Sequence, residues 1–316
     1  VGETRLAGPR IAVLLPCYNE EAAIAQTVAA FRAALPDAAI YVYDNNSSDG
    51  TREVAAEAGA IVRSERMQGK GHVVRRMFAD VEADIYVMAD GDATYDASAA
   101  PTLIAKLIDE QLDMVVGARR SEVEAEAYRR GHVLGNRLFT ALLSNLFGRS
   151  FSDIFSGYRV FSRRFAKSFP ALSAGFETET EISVHALELA MPVGEVVTAY
   201  GARPEGSVSK LSTYRDGWRI MKTILHLYRI ERPVLFFGSL ALLLAGIAVI
   251  LSIPLAVTYV RTGLVPRFPT AILATGLMIL AALSFFAGLI LDTVVRGRRE
   301  VRRLHYLSFP APGGDR

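Results

Sequence analysis

The stretch ADIYVMADGDATY, residues 83–95, runs an apolar segment straight into two carboxylates, Asp90 and Asp92, that stand two residues apart. A short run rich in Ile, Tyr and Val reads as a buried strand. Acids at the exit of such a strand are costly to desolvate unless they bind something. Where that strand lies in the wider pattern therefore decides both the fold and the chemistry.

Working outward, strand and helix signals alternate. RIAVLLP (10–16) is a short apolar run, and EEAAIAQTVAAFRAAL (20–35) carries apolar residues at helical spacing with acids in its first turn. AIYVYD (39–44) reads as a second strand, TREVAAEAG (51–59) as a helix closed by Gly59, and AIVRSE (60–65) as a third strand. GHVVRRMFADV (71–81) is a helix before the strand of the opening stretch; AAPTLIAKLIDEQ (99–111) and DMVVGAR (113–119) continue the alternation. This pattern predicts an α/β fold with a mostly parallel sheet covered by helices. Ligands bind such sheets beyond the C-terminal strand ends. The polar motifs stand at those ends: PCYNE (16–20), DNNSSDGT (44–51), DGDATY (90–95) and GARR (117–120).

No GxGxxG follows the first strand, which argues against a dinucleotide fold. QGKGH (68–72) lacks the glycine spacing and the Ser or Thr of a phosphate loop, so Lys70 reads as a helix-start or loop residue. A diphosphate then needs positive charge from elsewhere. A divalent ion on Asp90 and Asp92 supplies it, since hard cations bind through one or two carboxylates plus substrate phosphates.

The far end of the chain differs. Residues 233–260 and 268–291 carry no charged side chain. Runs of about 28 and 24 residues, at ~1.5 Å each, can cross a hydrocarbon core of ~30 Å. RTGLVPR (261–267) links them, with Pro254 marking a kink or an end of the first run. Arg229 and Arg232 precede the pair and RGRREVRR (296–303) follows it, so the positive-inside rule places both termini and all residues before 233 in the cytoplasm. STYRDGWRIMKTILHLYRIERP (212–233) reads as an amphipathic helix suited to the membrane interface. The expected plan is a cytosolic domain over 1–211, a juxtamembrane helix over 212–232, two spans over 233–295 and a basic cytosolic tail over 296–316. A formal net charge of +2 argues against a nucleic-acid partner, and Cys17, the single cysteine, excludes an internal disulfide. The polar VGETRLAGPR and the short IAVLLP do not form a secretory signal.

The ordered set PCYNE, DNNSSDGT, DGDATY, GARR, DIFSGYR (153–159) and RPEGSVSKL (203–211) resembles family-2 glycosyltransferases of the GT-A fold. Within them it is similar to polyprenyl-phosphate (dolichol-phosphate-type) sugar transferases, over roughly residues 10–212. The resemblance implies inverting transfer of a sugar from a nucleotide diphosphate, with uridine preferred over guanosine, to a membrane polyprenyl phosphate. It assigns donor binding to Pro16, Tyr18, Asn19, Glu20, Asp44, Asp90 and Lys210. Asp90 and Asp92, with Thr94 where close relatives have Gln, would hold Mg2+ or Mn2+; the family's second Asp after Asp44 is Asn45 here. Acceptor phosphate falls to Arg119, Arg129, Arg130 and His132, the last where Ser is frequent. Asp92, Asp153 and Arg203 form the implied catalytic set, and Arg203 and Lys210 belong to a loop closing over the diphosphate. Cys17 sits at a variable position and is expected to be inert.

A lipid phosphate is already anionic, its second pKa being about 6, so a strong general base is optional. What the reaction needs is cations to bring two anions together, and arginine forks match phosphate oxygens. The sequence is also compatible with a homo-oligomer and with anionic lipids at its basic face. A processive polysaccharide synthase would share the first motifs but should carry Gln-x-x-Arg-Trp, whereas Trp218 stands in DGWRIM. A silent nucleotide-sugar-binding membrane protein could lose the acids, whereas Asp44, Asp90, Asp92 and Asp153 stand here.

Overall fold

The computed structural model describes residues 8–120, 151–171, 177–201, 228–230 and 232–312. The chain divides into two compact units, Val1–Gly217 with Arg302–Arg316, and Trp218–Val301.

The first unit is built on a seven-stranded sheet among the described residues. Its strands are β1 (Ile11–Cys17), β2 (Ala39–Asp44), β3 (Ile61–Ser64), β4 (Ile85–Met88), β5 (Met114–Arg120), β6 (Arg159–Ser162) and β7 (Val193–Ala199). The order is β3-β2-β1-β4-β6-β5-β7. Every pairing is parallel except those of β6, which runs antiparallel between β4 and β5. The alternation of the sequence accounts for β1 to β5; the antiparallel insertion of β6 carried no local signal.

The helices of this unit are α1 (Glu21–Ala34), α2 (Thr51–Glu57), α3 (Lys70–Asp80), α4 (Ala100–Asp109), α5 (Arg163–Ser168) and α6 (Thr178–Glu188). Helix α1 buries Ala23, Ile24, Thr27, Val28 and Phe31, and α4 buries Ala100, Leu103, Ile104 and Leu107. Both sets recur at three- and four-residue spacing, the apolar stripe of a helix lying on a sheet. They meet Val13, Leu15, Val42, Val87, Val115 and Val160 in one core. At roughly 1.5–3 kcal/mol for each fully buried aliphatic side chain, this burial is what holds the strand ends in register. Gly59, at φ 85°, ends the α2 turn in the left-handed region, as its position after the helix requires.

At the N-terminal end of β5 the buried carboxylate of Asp113 accepts hydrogen bonds from Ser162 Oγ (2.7 Å), Arg164 Nη2 (2.8 Å) and Tyr306 Oη (2.7 Å). Tyr306 belongs to the last helix of the chain, whose residues from Arg302 onward pack in this first unit: Arg302 pairs with Glu188 at 2.6 Å, and Arg164 lies 4.8 Å from the Tyr306 ring centroid.

The second unit holds α7 (Pro233–Thr262) and most of α8 (Phe268–Leu307), both long and apolar enough to cross a membrane. Helix α7 continues through Pro254 and stops at Gly263, which has φ 69° and donates its N–H to the Tyr259 carbonyl. The buried residues Ala241 and Ala248 on α7, and Ala274, Ala281, Gly288 and Val295 on α8, recur every seven positions. Small side chains at heptad spacing let two helices run closely side by side. Gly288 shows the contact directly: a Cβ there would come within 3.1 Å of Phe237 Cβ. The large side chains face outward, Leu242 at 77% and Val260 at 84% exposure. Such an apolar exterior suits lipid rather than water.

Candidate active site

The site is assembled where β1, β2, β4 and β5 end. Asn19 follows β1 in the left-handed conformation, φ 53°. Its N–H donates to Ser47 Oγ (2.9 Å), and its side-chain Oδ1 accepts from the Ser48 N–H (2.8 Å). The Glu20 N–H donates to Thr51 Oγ1 at 2.9 Å, and Glu21 Oε2 accepts from the Gly50 N–H at 2.9 Å. The polar residues of PCYNE and DNNSSDGT therefore stitch two strand exits into one wall. Pro16 is half-buried on this wall and Tyr18 is exposed. Asp44, at the end of β2, is buried, with Oδ1 accepting from the Ser47 N–H.

Asn45 explains its own presence. Its amide donates to the carbonyls of Glu65 (3.0 Å) and Met67 (2.8 Å), and its Oδ1 accepts from the Gly69 N–H (2.6 Å). One side chain thus shapes the whole 65–69 loop, using two donors that a carboxylate would lack.

The DGDATY turn carries the central acids. Asp92 is buried, and its Oδ1 accepts from the Thr94 N–H (3.2 Å) and Thr94 Oγ1 (2.6 Å). Between the two acids, a Cβ on Gly91 would lie 2.4 Å from Cys17 Sγ, so only glycine lets the turn lie against β1. Burial, and then the carboxylates of Glu20 and Asp90, push the Cys17 thiol well above its ordinary pKa. A thiol held in its protonated form is a poor nucleophile.

Asp90 has company that the sequence reading missed. Lys70, the first residue of α3, places Nζ 2.6 Å from Asp90 Oδ1 and 2.5 Å from Glu179 Oε1 on α6. Burial opposes the ammonium's charge, but Asp90 and Glu179 outweigh it and raise the Lys70 pKa. Lys70 does start a helix, as the sequence suggested, yet its side chain reaches into the site. Comparing QGKGH with a phosphate-loop template hid this role; the lysine's position after a strand exit was the usable signal. Nothing local marked Glu179.

At the end of β5, Arg119 grips Asp153 through two edges, Nε to Oδ2 at 2.7 Å and Nη2 to Oδ1 at 2.9 Å. The guanidinium carbon sits 5.4 Å from the Tyr200 ring centroid. The rest of the DIFSGYR segment is organised by Arg159, which is fully buried. Its guanidinium donates to the carbonyls of Ile154 (2.5 Å) and Ser156 (2.9 Å) and to Ser183 Oγ on α6 (2.9 Å). Burial lowers its pKa to about 10, which leaves it charged near neutrality. Arg129, Arg130, His132, Arg203 and Lys210, together with residues 212–227 and 231 of the expected juxtamembrane helix, lie outside the described residues.

A divalent ion fits this donor set. Asp90, Asp92 and Thr94 offer only oxygen, and the Lys70 ammonium already rests on Asp90 Oδ1 as a cation. Among the described residues, no three His, Cys, Asp or Glu side chains form a closed metal cage.

Comparison with known proteins bears on the family and the fold. The family model "Glycosyl transferase family 2" matches residues 12–169. Glycosyltransferase AglJ of Haloferax volcanii is 31% identical over 300 residues, covering 94% of this chain and 98% of its own. A dolichyl-phosphate hexose transferase of the same organism is 28% identical over 222 residues, covering 70% of this chain and 95% of its own. Among solved structures, glucosyl-3-phosphoglycerate synthase from Mycobacterium tuberculosis, in complex with Mn2+, UDP-glucose and phosphoglyceric acid, aligns with a TM-score of 0.53 at 24% identity. That alignment covers 69% of this chain and 79% of the synthase, and the shared fold is GT-A.

Proposed function

Because the chain belongs to glycosyl transferase family 2, we propose that it moves a hexose from a nucleoside-diphosphate sugar, uridine preferred, to a membrane polyprenyl phosphate. The observation that carries this reading is the union, in one chain, of a family-2 cleft and two helices of bilayer length. A lipid acceptor gives such helices a purpose, and the similarity to a dolichyl-phosphate hexose transferase supports the same acceptor class.

In this reading an oxygen of the lipid phosphate attacks C1 of the sugar, the C1–oxygen bond to the diphosphate breaks, and the configuration at C1 inverts. The acceptor oxygen is already an anion, so no side chain needs to remove a proton from it. Asp44, Asn19 and Glu20 bind the nucleoside end of the donor, with Tyr18 alongside. Asp90 and Asp92 would hold a divalent ion, Mg2+ or Mn2+, and that ion would supply positive charge to offset the negative charge of the leaving diphosphate. Arg119 contacts the acceptor phosphate, and Asp153 fixes the plane of its fork. Arg203 and Lys210 add positive charge over the diphosphate, and Arg129, Arg130 and His132 over the lipid headgroup. The cleft and both termini lie on the cytoplasmic side, as the arginines flanking the spans suggest.

The test is purified full-length chain in lipid, supplied with a panel of radiolabelled nucleotide sugars and polyprenyl phosphate. A discrete label in the organic phase is expected. A long water-soluble polymer, or no product with any donor, would overturn the reading.

A further inference from the structure

We propose that Lys70 is a resident counter-ion of Asp90, positioned by Glu179, which makes divalent-metal binding depend on the arrival of the donor diphosphate. This rests on the proposed reading of Asp90 as a ligand of the diphosphate-bound metal.

The contact is a constructed one. The Gly69 N–H is fixed to Asn45 Oδ1 at 2.6 Å, and Gly69 has φ 130°, a conformation natural to glycine, so α3 must begin at Lys70. The side chains of Lys70, Glu179 and Asp90 are 14%, 8% and 33% exposed, so the ammonium sits between a carboxylate shielded from water and one that opens to the cleft. The other oxygen of Asp90, Oδ2, packs over Gly157, where a Cβ would lie 2.7 Å away, and Gly157 is held by its N–H to Tyr95 Oη at 2.8 Å. Glu179 is fixed in turn: its carbonyl accepts from Ser183 Oγ, which also accepts from buried Arg159.

A metal ion approaching Asp90 alone therefore meets a like charge already bonded to the oxygen it needs. Lys70 is kept in place by its second ion pair, to Glu179 at 2.5 Å. A nucleoside diphosphate changes the balance. Its anionic oxygens give Lys70 a new partner while Glu179 keeps hold of it, and Asp90 Oδ1 passes to the metal. Electrostatic repulsion between a buried ammonium and a divalent ion is large enough to decide the order of binding.

The experiment measures free Mn2+ by electron paramagnetic resonance with the purified full-length chain, with and without UDP. Wild-type protein should bind Mn2+ weakly alone and much more tightly with UDP. K70M should bind Mn2+ alone about tenfold more tightly than wild type and lose most of the gain from UDP. K70R should behave as wild type. R52M, which removes an exposed charge on α2, should also behave as wild type. E179Q should weaken Mn2+ binding in the presence of UDP, because Lys70 then has no second anchor. If K70M does not fold, the double variant K70M/E179Q removes the opposed charges together and should show the same tighter binding of Mn2+ alone. Unchanged Mn2+ affinity in K70M or in the double variant, or an equal gain in R52M, would overturn the proposal. Glycolipid formation with unchanged Mn2+ affinity in K70M refutes this inference alone. The expected binding pattern without glycolipid refutes the acceptor reading alone.

Discussion

Arg119 and Asp153, one at the end of β5 and the other at the head of the DIFSGYR segment, form a two-edged ion pair at 2.7 and 2.9 Å, with the Arg119 backbone N–H adding a third contact at 3.2 Å. The family resemblance implies acceptor binding for Arg119 and a catalytic role for Asp153. Their pairing couples those assignments: a carboxylate so engaged serves better to aim the guanidinium than to collect a proton. Arg119→Ala should raise KM for polyprenyl phosphate about ten- to a hundredfold, the worth of a charge-assisted hydrogen bond, with far less effect on the donor. Arg119→Lys should not restore it, because the fork is lost. Asp153→Asn should weaken acceptor use without changing the shape of the pH–rate profile. Loss of the acidic limb of that profile would make Asp153 a base instead. Steady-state kinetics with each substrate varied in turn distinguish these outcomes.

Asp92→Asn should abolish transfer, with kcat down by about a hundredfold or more, because the leaving diphosphate then lacks its principal neutralisation. Excess chelator should do the same to wild-type protein, and Mg2+ or Mn2+ should restore it. Initial rates of glycolipid formation measure both effects.

Asn45→Asp replaces two donors with acceptors facing the carbonyls of Glu65 and Met67. It should cost roughly 2 kcal/mol or more and loosen the loop that leads into Lys70. A lower melting temperature together with a raised KM for the nucleotide sugar is expected. A change in neither would mean that the loop is held by other contacts.

In the apolar hairpin, Gly288→Leu should destabilise, since even a Cβ meets Phe237 at 3.1 Å and the Pro233 carbonyl at 3.3 Å. Overpacking of this kind costs about 1–3 kcal/mol. Gly276→Leu, with nothing within 4 Å of its Cβ, should be neutral. Thermal unfolding in detergent of the two variants side by side checks the contact.

Acid sensitivity should trace partly to His185. Burial, and then Arg302, hold its pKa down to about 3, against 6.5 when unfolded. Between those values the unfolded chain binds a proton that the folded chain does not. Stability is therefore fully present above about pH 6.5 and falls as the pH drops toward 3, by up to about 1.4 kcal/mol per pH unit. His185→Phe, packing among Phe165 and Phe169, should flatten that dependence relative to wild type. Parallel slopes for the two proteins would contradict it.

The strands β1 to β5, the helices between them and the two long apolar helices could be read from residue order alone. Each rests on a repeat of two, three or four positions, or on an uninterrupted apolar run, and these are properties of neighbours in sequence. The same holds for Asp90 and Asp92 as candidates, since strand ends are where an open parallel sheet binds ligands, whereas Asp44 and Arg119 are named by the family resemblance. Strand β6 escaped because four buried residues, one of them Arg159, carry no alternation to recognise. Asn45 looked like a departure from its family's pattern, and only its carbonyl partners in the next loop give the reason.

What residue order determined, then, is which elements form and which ends carry acid or base; what packing alone decided is who meets whom. Lys70 reaches Asp90 across 20 positions and Arg119 reaches Asp153 across 34. Contacts over such separations come from chain crossings set by the buried sheet, and a local pattern has no term that describes them.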